Sequence, residues 1–145
     1  MTDKDVSTGF PKWKYPADGT AGKIVSSAEE EATLGEGWSD TPIAPSRNDQ
    51  VLTVIAHLVA QPDKIEETKK FLLALVERTR REKDCLDYNL HQDNDRPTEF
   101  TFYENWVNRA AWDIHMTRPY IKDLARTSKD ILAVNPHIRL TTKLS

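Results

Sequence analysis

The stretch CLDYNLHQDNDRPTEFTFYENW, residues 85–106, decides the fold. Within it Leu86, Tyr88 and Leu90 alternate with Asp87, Asn89 and His91, and Phe100, Phe102, Glu104 and Trp106 alternate with Thr101, Tyr103 and Asn105. A period of two marks a strand with one buried face. The polar run Asp93 to Pro97 lies between the two patterns and favours a turn, so an antiparallel hairpin is the simplest connection.

Upstream, residues 51–60 are β-branched and apolar on both faces, which predicts a strand covered on both sides. Pro62-Asp63 ends it. Asp63 with Glu66 has the spacing of a capping pair, and Ile65, Leu72, Leu75 and Val76 recur at helical intervals up to Arg78, Arg80, Arg81 and Lys83. A helix over 63–82 follows. Downstream, Asn108 caps a short helix carrying Ala111, Trp112 and His115, and Pro119 opens another carrying Ile121, Leu124, Ala125 and Leu132. After Asn135-Pro136, the alternation of Ile138, Leu140, Thr142 and Leu144 predicts a last strand.

Strand, helix, strand, strand, helix, strand is the ferredoxin-like α+β plan, βαββαβ. It leaves one sheet face without helices. That face is expected to carry part of the first strand together with aromatics, too much apolar surface for a monomer, so a homodimer with facing sheets is predicted.

All five glycines fall in residues 1–50, where 15 residues are apolar, against 40 apolar residues and no glycine in 51–145. The fold is therefore expected in 51–145, preceded by an N-terminal extended arm over 1–50. Residues 1–12 read as a mobile terminus. Beyond them come a turn at Asp18-Gly19, a short strand at Lys23-Ile24-Val25 and a short acidic helix capped by Ser26 or Ser27, of which Ser27 has the capping-box spacing to Glu30. Trp13, Tyr15 and Trp38 are too many aromatics for a solvated linker, and something must cover them. The arm's pattern resembles a short segment of phage-associated and uncharacterised bacterial proteins, which implies an ordered docking arm and no chemistry.

Net charge is −3, with 5 basic and 9 acidic residues in 1–50 and 15 basic and 14 acidic after it. No basic field exists to grip nucleic acid. The apolar runs are too short to span a membrane and no signal peptide is visible, so the chain is read as soluble and cytoplasmic. Cys85 is the only cysteine, which excludes an intramolecular disulfide and any cysteine-based metal centre. No base pairs with it, so it reads as buried and structural.

Residues 51–145 resemble the antibiotic biosynthesis monooxygenase family. The likeness rests on Val54-Ile55-Ala56, on Glu82-x-x-Cys85-Leu86-x-Tyr88 with His91-Gln92-Asp93, on Tyr103-Glu104-x-Trp106, and on Ala110-Ala111-x-x-x-His115 followed by Pro119. It implies a dimeric α+β barrel and cofactor-independent oxidation of a small quinol or polyphenolic aromatic by dioxygen, without metal or flavin. It also places His115 where the family histidine stands, as base. Glu104 would orient His115 or a substrate hydroxyl, and Trp106, Tyr88, Trp112 and His57 would contact substrate. Three of them have a plainer alternative: His115 bonded to backbone or to Glu104, Trp106 in the core, His57 a satisfied core or interface group. Quinol monooxygenase-like relatives carry a second histidine after the proline, where Tyr120 stands here. A phenol is a poor base at neutral pH, but it can hold an oxyanion. The haem-degrading relatives need a histidine further along the last helix, and Tyr120 to Leu132 contains none. Two other functions stay open: isomerisation of a small hydroxycarbonyl compound by the same histidine, and a non-catalytic binding or assembly module with no ligand-sized cavity at His115.

Overall fold

A computed structural model of the chain describes residues 9–42 and 50–145. Most of the mobile terminus expected over 1–12, and the junction before the expected boundary at residue 50, lie outside them.

Residues 9–42 form a three-stranded antiparallel sheet. Its strands are β1 (Lys12–Pro16), β2 (Lys23–Val25) and β3 (Trp38–Ser39), in the order β2-β1-β3, with the short helix α1 (Ala28–Ala32) between β2 and β3. The capping box forms: the Ser27 hydroxyl accepts from the Glu30 amide at 3.2 Å, and the Glu30 carboxylate reaches back to the Ser26 amide at 2.7 Å. Gly22 is required for space, because a Cβ there would stand 2.5 Å from the Lys14 carbonyl oxygen and 2.6 Å from the Tyr15 ring. Trp13 and Tyr15 are buried, and with Ile24 they belong to the same apolar core as Leu58, Phe102 and Trp112.

Residues 50–145 form the second sheet from β4 (Leu52–Val59), β5 (Cys85–Gln92), β6 (Glu99–Trp106) and β7 (His137–Thr141), antiparallel in the order β5-β6-β4-β7. Helices α2 (Ile65–Thr79), α3 (Arg109–Met116) and α4 (Pro119–Ile131) complete a ferredoxin-like α+β fold. The side chains of Val54, Ala56 and Leu58 from β4, and of Phe100, Phe102, Glu104 and Trp106 from β6, are buried on the helix side. Asn108 caps α3 by accepting from the Ala111 amide, and Pro119 occupies the first turn of α4.

Four expectations are corrected. The helix expected over 63–82 spans only 65–79, and Asp63 does not cap it: the helix starts from Lys64 with no side-chain cap, because Gln61 to Lys64 close a turn through the Lys64 amide and the Gln61 carbonyl at 2.9 Å. Leu86 does not share the buried face of Tyr88. The β5–β6 register slips between Cys85 and Asp87, and Leu86, the extra residue of that bulge, is exposed. Strand β7 stops at Thr141, where pairing with β4 ends, and leaves Leu144 exposed.

The fourth concerns the sheet's other face. Val51 and Ile55 stand exposed in the single chain, so β4 is covered on one side only. The aromatics of β6 turn toward the helices, except for Tyr103, which pairs with Ile55 on the open face. Around that pair lie polar residues: Thr101, Asn105, His57, His137 and Arg139. The open face is therefore less apolar than the sequence suggests.

Candidate active site

Past the end of α2 the chain closes three tight turns, with the Arg81 amide on Arg78, Glu82 on Thr79 and Cys85 on Glu82. This unwinding carries Glu82 off the helix and points its carboxylate at the start of α4 and the last turn of α3. Three side chains converge on it. His115 Nδ1 lies 2.6 Å from Glu82 Oε2, Arg118 Nε donates to Oε1 at 3.0 Å, and the Tyr120 hydroxyl donates to Oε2. The Glu82 side chain is only 9% exposed and that of His115 only 2%. Burial alone would raise the Glu82 carboxyl, but the bonds from His115, Tyr120 and Arg118 outweigh it and hold the group below its usual value. Burial pulls the His115 imidazole below its ordinary value, against the opposing pull of Glu82.

An ionised Glu82 fixes the tautomer of a neutral His115. Because a carboxylate only accepts, Nδ1 must carry the proton, and Nε2 keeps a lone pair. The ring is held edge-on to Tyr88 at 5.6 Å between centroids and tilted on Trp106 at 4.6 Å. The result is an oriented, uncharged base in an apolar wall.

Glu104 is fully buried two residues from Trp106, whose indole N–H donates to it at 2.9 Å. Burial pushes its carboxyl up to about 8, the Trp106 bond opposing and the charge of Glu82 adding to the rise. At neutral pH Glu104 is therefore mostly protonated and able to donate.

The structure brings His115, Glu104, Tyr88 and Trp112 to one small cavity. Trp106 stands behind His115 and holds Glu104 in place. Tyr120 directs its proton at Glu82, so it positions the dyad and does not offer that proton to an oxyanion. His115 is bonded to Glu82, not to Glu104 as one alternative had it. His57 is not part of this cluster: it projects from the opposite face of β4, with Nε2 3.2 Å from Glu99 Oε2. Burial lifts the Cys85 thiol to about 12, so it is no nucleophile at neutral pH. Among the described residues no group of three or more His, Cys, Asp or Glu side chains could hold a metal, and no helix is long and apolar enough to cross a membrane.

Glu82 is the residue that sequence reasoning left without a role. Two signals pointed to it: it heads the Glu82-x-x-Cys85 pattern, and it is the lone acid in the basic run from Arg78 to Lys83.

The cavity at His115 measures about 30 Å³, room for a water or two and far below the roughly 300–1,000 Å³ of ordinary ligand sites, so in this conformation no ligand-sized cavity lies at His115, as the non-catalytic binding-module alternative expects. A second cavity of about 260 Å³ lies between β1 and the α3–α4 region, lined by Lys12, Tyr15, Thr117, Lys122 and Arg126 among others. Trp13 and Met116 line both.

An uncharacterised protein of Synechocystis is 33% identical over 92 residues, a match spanning 63% of this chain and 63% of that protein's length. A crystal structure of a Pseudomonas aeruginosa protein superimposes with a TM-score of 0.64 at 30% identity, covering 69% of this chain and all of that one. The crystal structure of an antibiotic biosynthesis monooxygenase gives a TM-score of 0.61 at 32% identity, over 65% of this chain and 99% of its own. The antibiotic biosynthesis monooxygenase family model matches residues 51–127, more than half of the chain, and the chain belongs to that family.

Proposed function

We propose that this protein is a cofactor-independent monooxygenase that inserts one atom of dioxygen into a small quinol or polyphenolic aromatic. The observation that carries the proposal is a His115 held by Glu82 and a buried Glu104 lining one apolar cavity, where burial favours the neutral imidazole and the protonated carboxyl. His115 Nε2 takes the proton of a substrate hydroxyl, and the resulting electron-rich anion passes an electron to oxygen. Glu104 supplies a proton to the reduced oxygen, and the apolar walls keep water from the intermediates. One oxygen atom enters the ring and the other leaves as water. The substrate supplies all four electrons as quinol becomes hydroxyquinone, so no external reductant enters the balance.

Oxygen uptake by metal-free, full-length protein with a panel of quinols tests this. Uptake is expected for at least one of them, with one oxygen consumed per hydroxyquinone formed; none across the panel removes the proposal. Product formation that persists without oxygen would instead favour isomerisation by the same histidine.

The two titrating groups set the pH profile. His115 must be neutral, so activity rises across a limb below the ordinary histidine value of ~6.5. Glu104 must be protonated, so activity falls near pH 8. Glu104→Gln has no proton to give up, so it is expected to lower kcat and to leave the residual activity without the alkaline limb. It should also remove a stability change: a carboxyl bound more tightly to its proton in the folded state stabilises fully below its unfolded value of ~4.3, and that stability is lost as pH rises toward about 8. Thermal melts of the two proteins between pH 4 and 9 check this.

A homodimer accords with this function. The open face centred on Ile55 and Tyr103 would be covered by a second copy, and sedimentation of Tyr103→Asp against the parent chain tests it, with a shift from twice the monomer mass to one expected.

A further inference from the structure

Trp13 is the wall between the two cavities. Its indole is 5% exposed, lines the His115 cavity beside Tyr88, Trp112 and His115, and on its other side lines the larger cavity under the arm. A flat bicyclic aromatic thus forms part of the wall of a cavity too small for any further aromatic. We propose that Trp13 is a built-in occupant of the substrate site: a fused-ring aromatic bearing one N–H or O–H donor takes its place, and entry requires the arm to swing Trp13 aside.

This rests on the His115 cavity being the substrate site, and three features support it. First, the family match covers residues 51–127, so the arm that carries Trp13 lies outside the segment the family shares. Second, the arm's strongest bonds are internal. Lys12 and Lys14 both pair with Glu31 and Asp40, with Lys14 Nζ 2.7 Å from Glu31, and those four residues lock β1 to α1 and to the segment after β3. These pairs keep the arm's own sheet together when it lifts, while Trp13, Tyr15 and Ile24 leave the shared core, a loss of apolar burial that the entering ring must offset. Third, the hydrogen bond that ties it to α4 is long, from the Trp13 indole nitrogen to the Ile121 carbonyl oxygen at 3.3 Å. An incoming N–H or O–H restores that bond, and its ring replaces the indole against the same apolar walls. Met116, flexible and shared by both cavities, adjusts to the shape of the entering ring.

With Trp13 displaced, the two cavities join into one chamber that reaches His115 from the space beside Lys122 and Arg126. Trp13 then sets both access and the ring size that fits. In the closed state the apparent affinity for any aromatic is reduced by the fraction of chains with the arm open.

Indole itself is the probe, since it is stable to oxygen and matches the occupant. Full-length ¹⁵N-labelled protein is titrated with unlabelled indole while the tryptophan side-chain N–H resonances are followed, Trp13 being assigned by its loss in Trp13→Phe. The Trp13 resonance is expected to move to its solvent-exposed position as indole binds. Trp13→Ala, which removes the competitor, is expected to bind indole about tenfold or more tightly than the parent chain. Trp13→Leu serves the same comparison if the alanine variant fails to fold. Indole that binds without moving Trp13, variants that bind no more tightly than the parent, or absence of binding to all of them overturns the proposal. Oxygen chemistry is not involved, so displacement of Trp13 in a protein with no quinol oxidation would leave this inference standing and remove the proposed function. Quinol oxidation with Trp13 unmoved would do the reverse.

Discussion

His115→Ala is expected to lower kcat for quinol oxidation by about 10²–10⁴-fold, the usual worth of a positioned general base, with KM little changed. The split follows from geometry. Trp112, Tyr88 and the aliphatic walls that would hold the ring remain, while the lone pair that takes the proton is gone. Deleting a buried ring also costs stability, about 2–5 kcal/mol for a large core truncation, so folding must be separated from chemistry. His115→Asn does this. Its amide N–H can still donate toward Glu82, but it offers no base, so it should melt closer to the parent while matching the alanine variant in kcat. Equal kcat for His115→Asn and the parent would remove His115 from the mechanism.

Glu82→Ala should be the most destabilising single change at the site, by about 3–5 kcal/mol, because one truncation strands several groups. Arg118 loses its acceptor, the Tyr120 hydroxyl loses its own, and the His115 Nδ1 proton is left in an apolar wall. A fall in the urea midpoint at unchanged m-value is the expected result. Glu82→Gln keeps one acceptor oxygen but loses the charge, so its stability loss is smaller and its kcat is expected to drop by about 10–100-fold as the imidazole loses orientation and basicity. The sign of the pH effect is fixed as well. A carboxyl held below its usual value in the fold contributes stability that is present above ~4.3 and lost as pH falls through the depressed value. The parent should therefore lose stability on acidification relative to Glu82→Gln, and parallel acid titrations of the two would reveal an absence of that difference.

Much of the framework was written locally. The alternation over 99–106 gave a strand and its buried face, Asn108 and Pro119 gave two helix starts, and Ser27 with Glu30 gave a third. Each is a signal carried by neighbours within four residues, and each side chain meets the backbone group it was read against. The failures are where a competing local contact or a register shift intervened. Asp63 lost its cap to the turn closed by Lys64, and Leu86 lost its buried face to a bulge that no periodicity announces.

The site was legible in half. His115 and Glu104 stood out as a histidine on a short helix and an acid on a buried strand face, and both line the cavity. Of the two roles expected of Glu104, orienting His115 did not hold. Glu104 is held by Trp106, and the partner of His115 is Glu82, 33 residues away in sequence. That partnership depends on how α2 unwinds through the three successive turns before Cys85. The place of Tyr120 was likewise decided by packing, since the same phenol is an oxyanion donor or a prop for Glu82 according to where that carboxylate arrives.

By itself, then, the sequence determined the order of strands and helices over residues 51–145, the buried face of β6, the family likeness of that segment and the need to bury Trp13 and Tyr15 of the arm. These follow from periodicity, capping and hydrophobic burial, which act between near neighbours or on composition. Only the tertiary structure decided that Glu82 bonds His115, that His57 lies across the sheet from it, and that Trp13 lines the cavity, 108 positions from the Ile121 carbonyl it meets. Those facts are contacts between distant segments, set by the angle at which elements pack, and no local pattern encodes that angle.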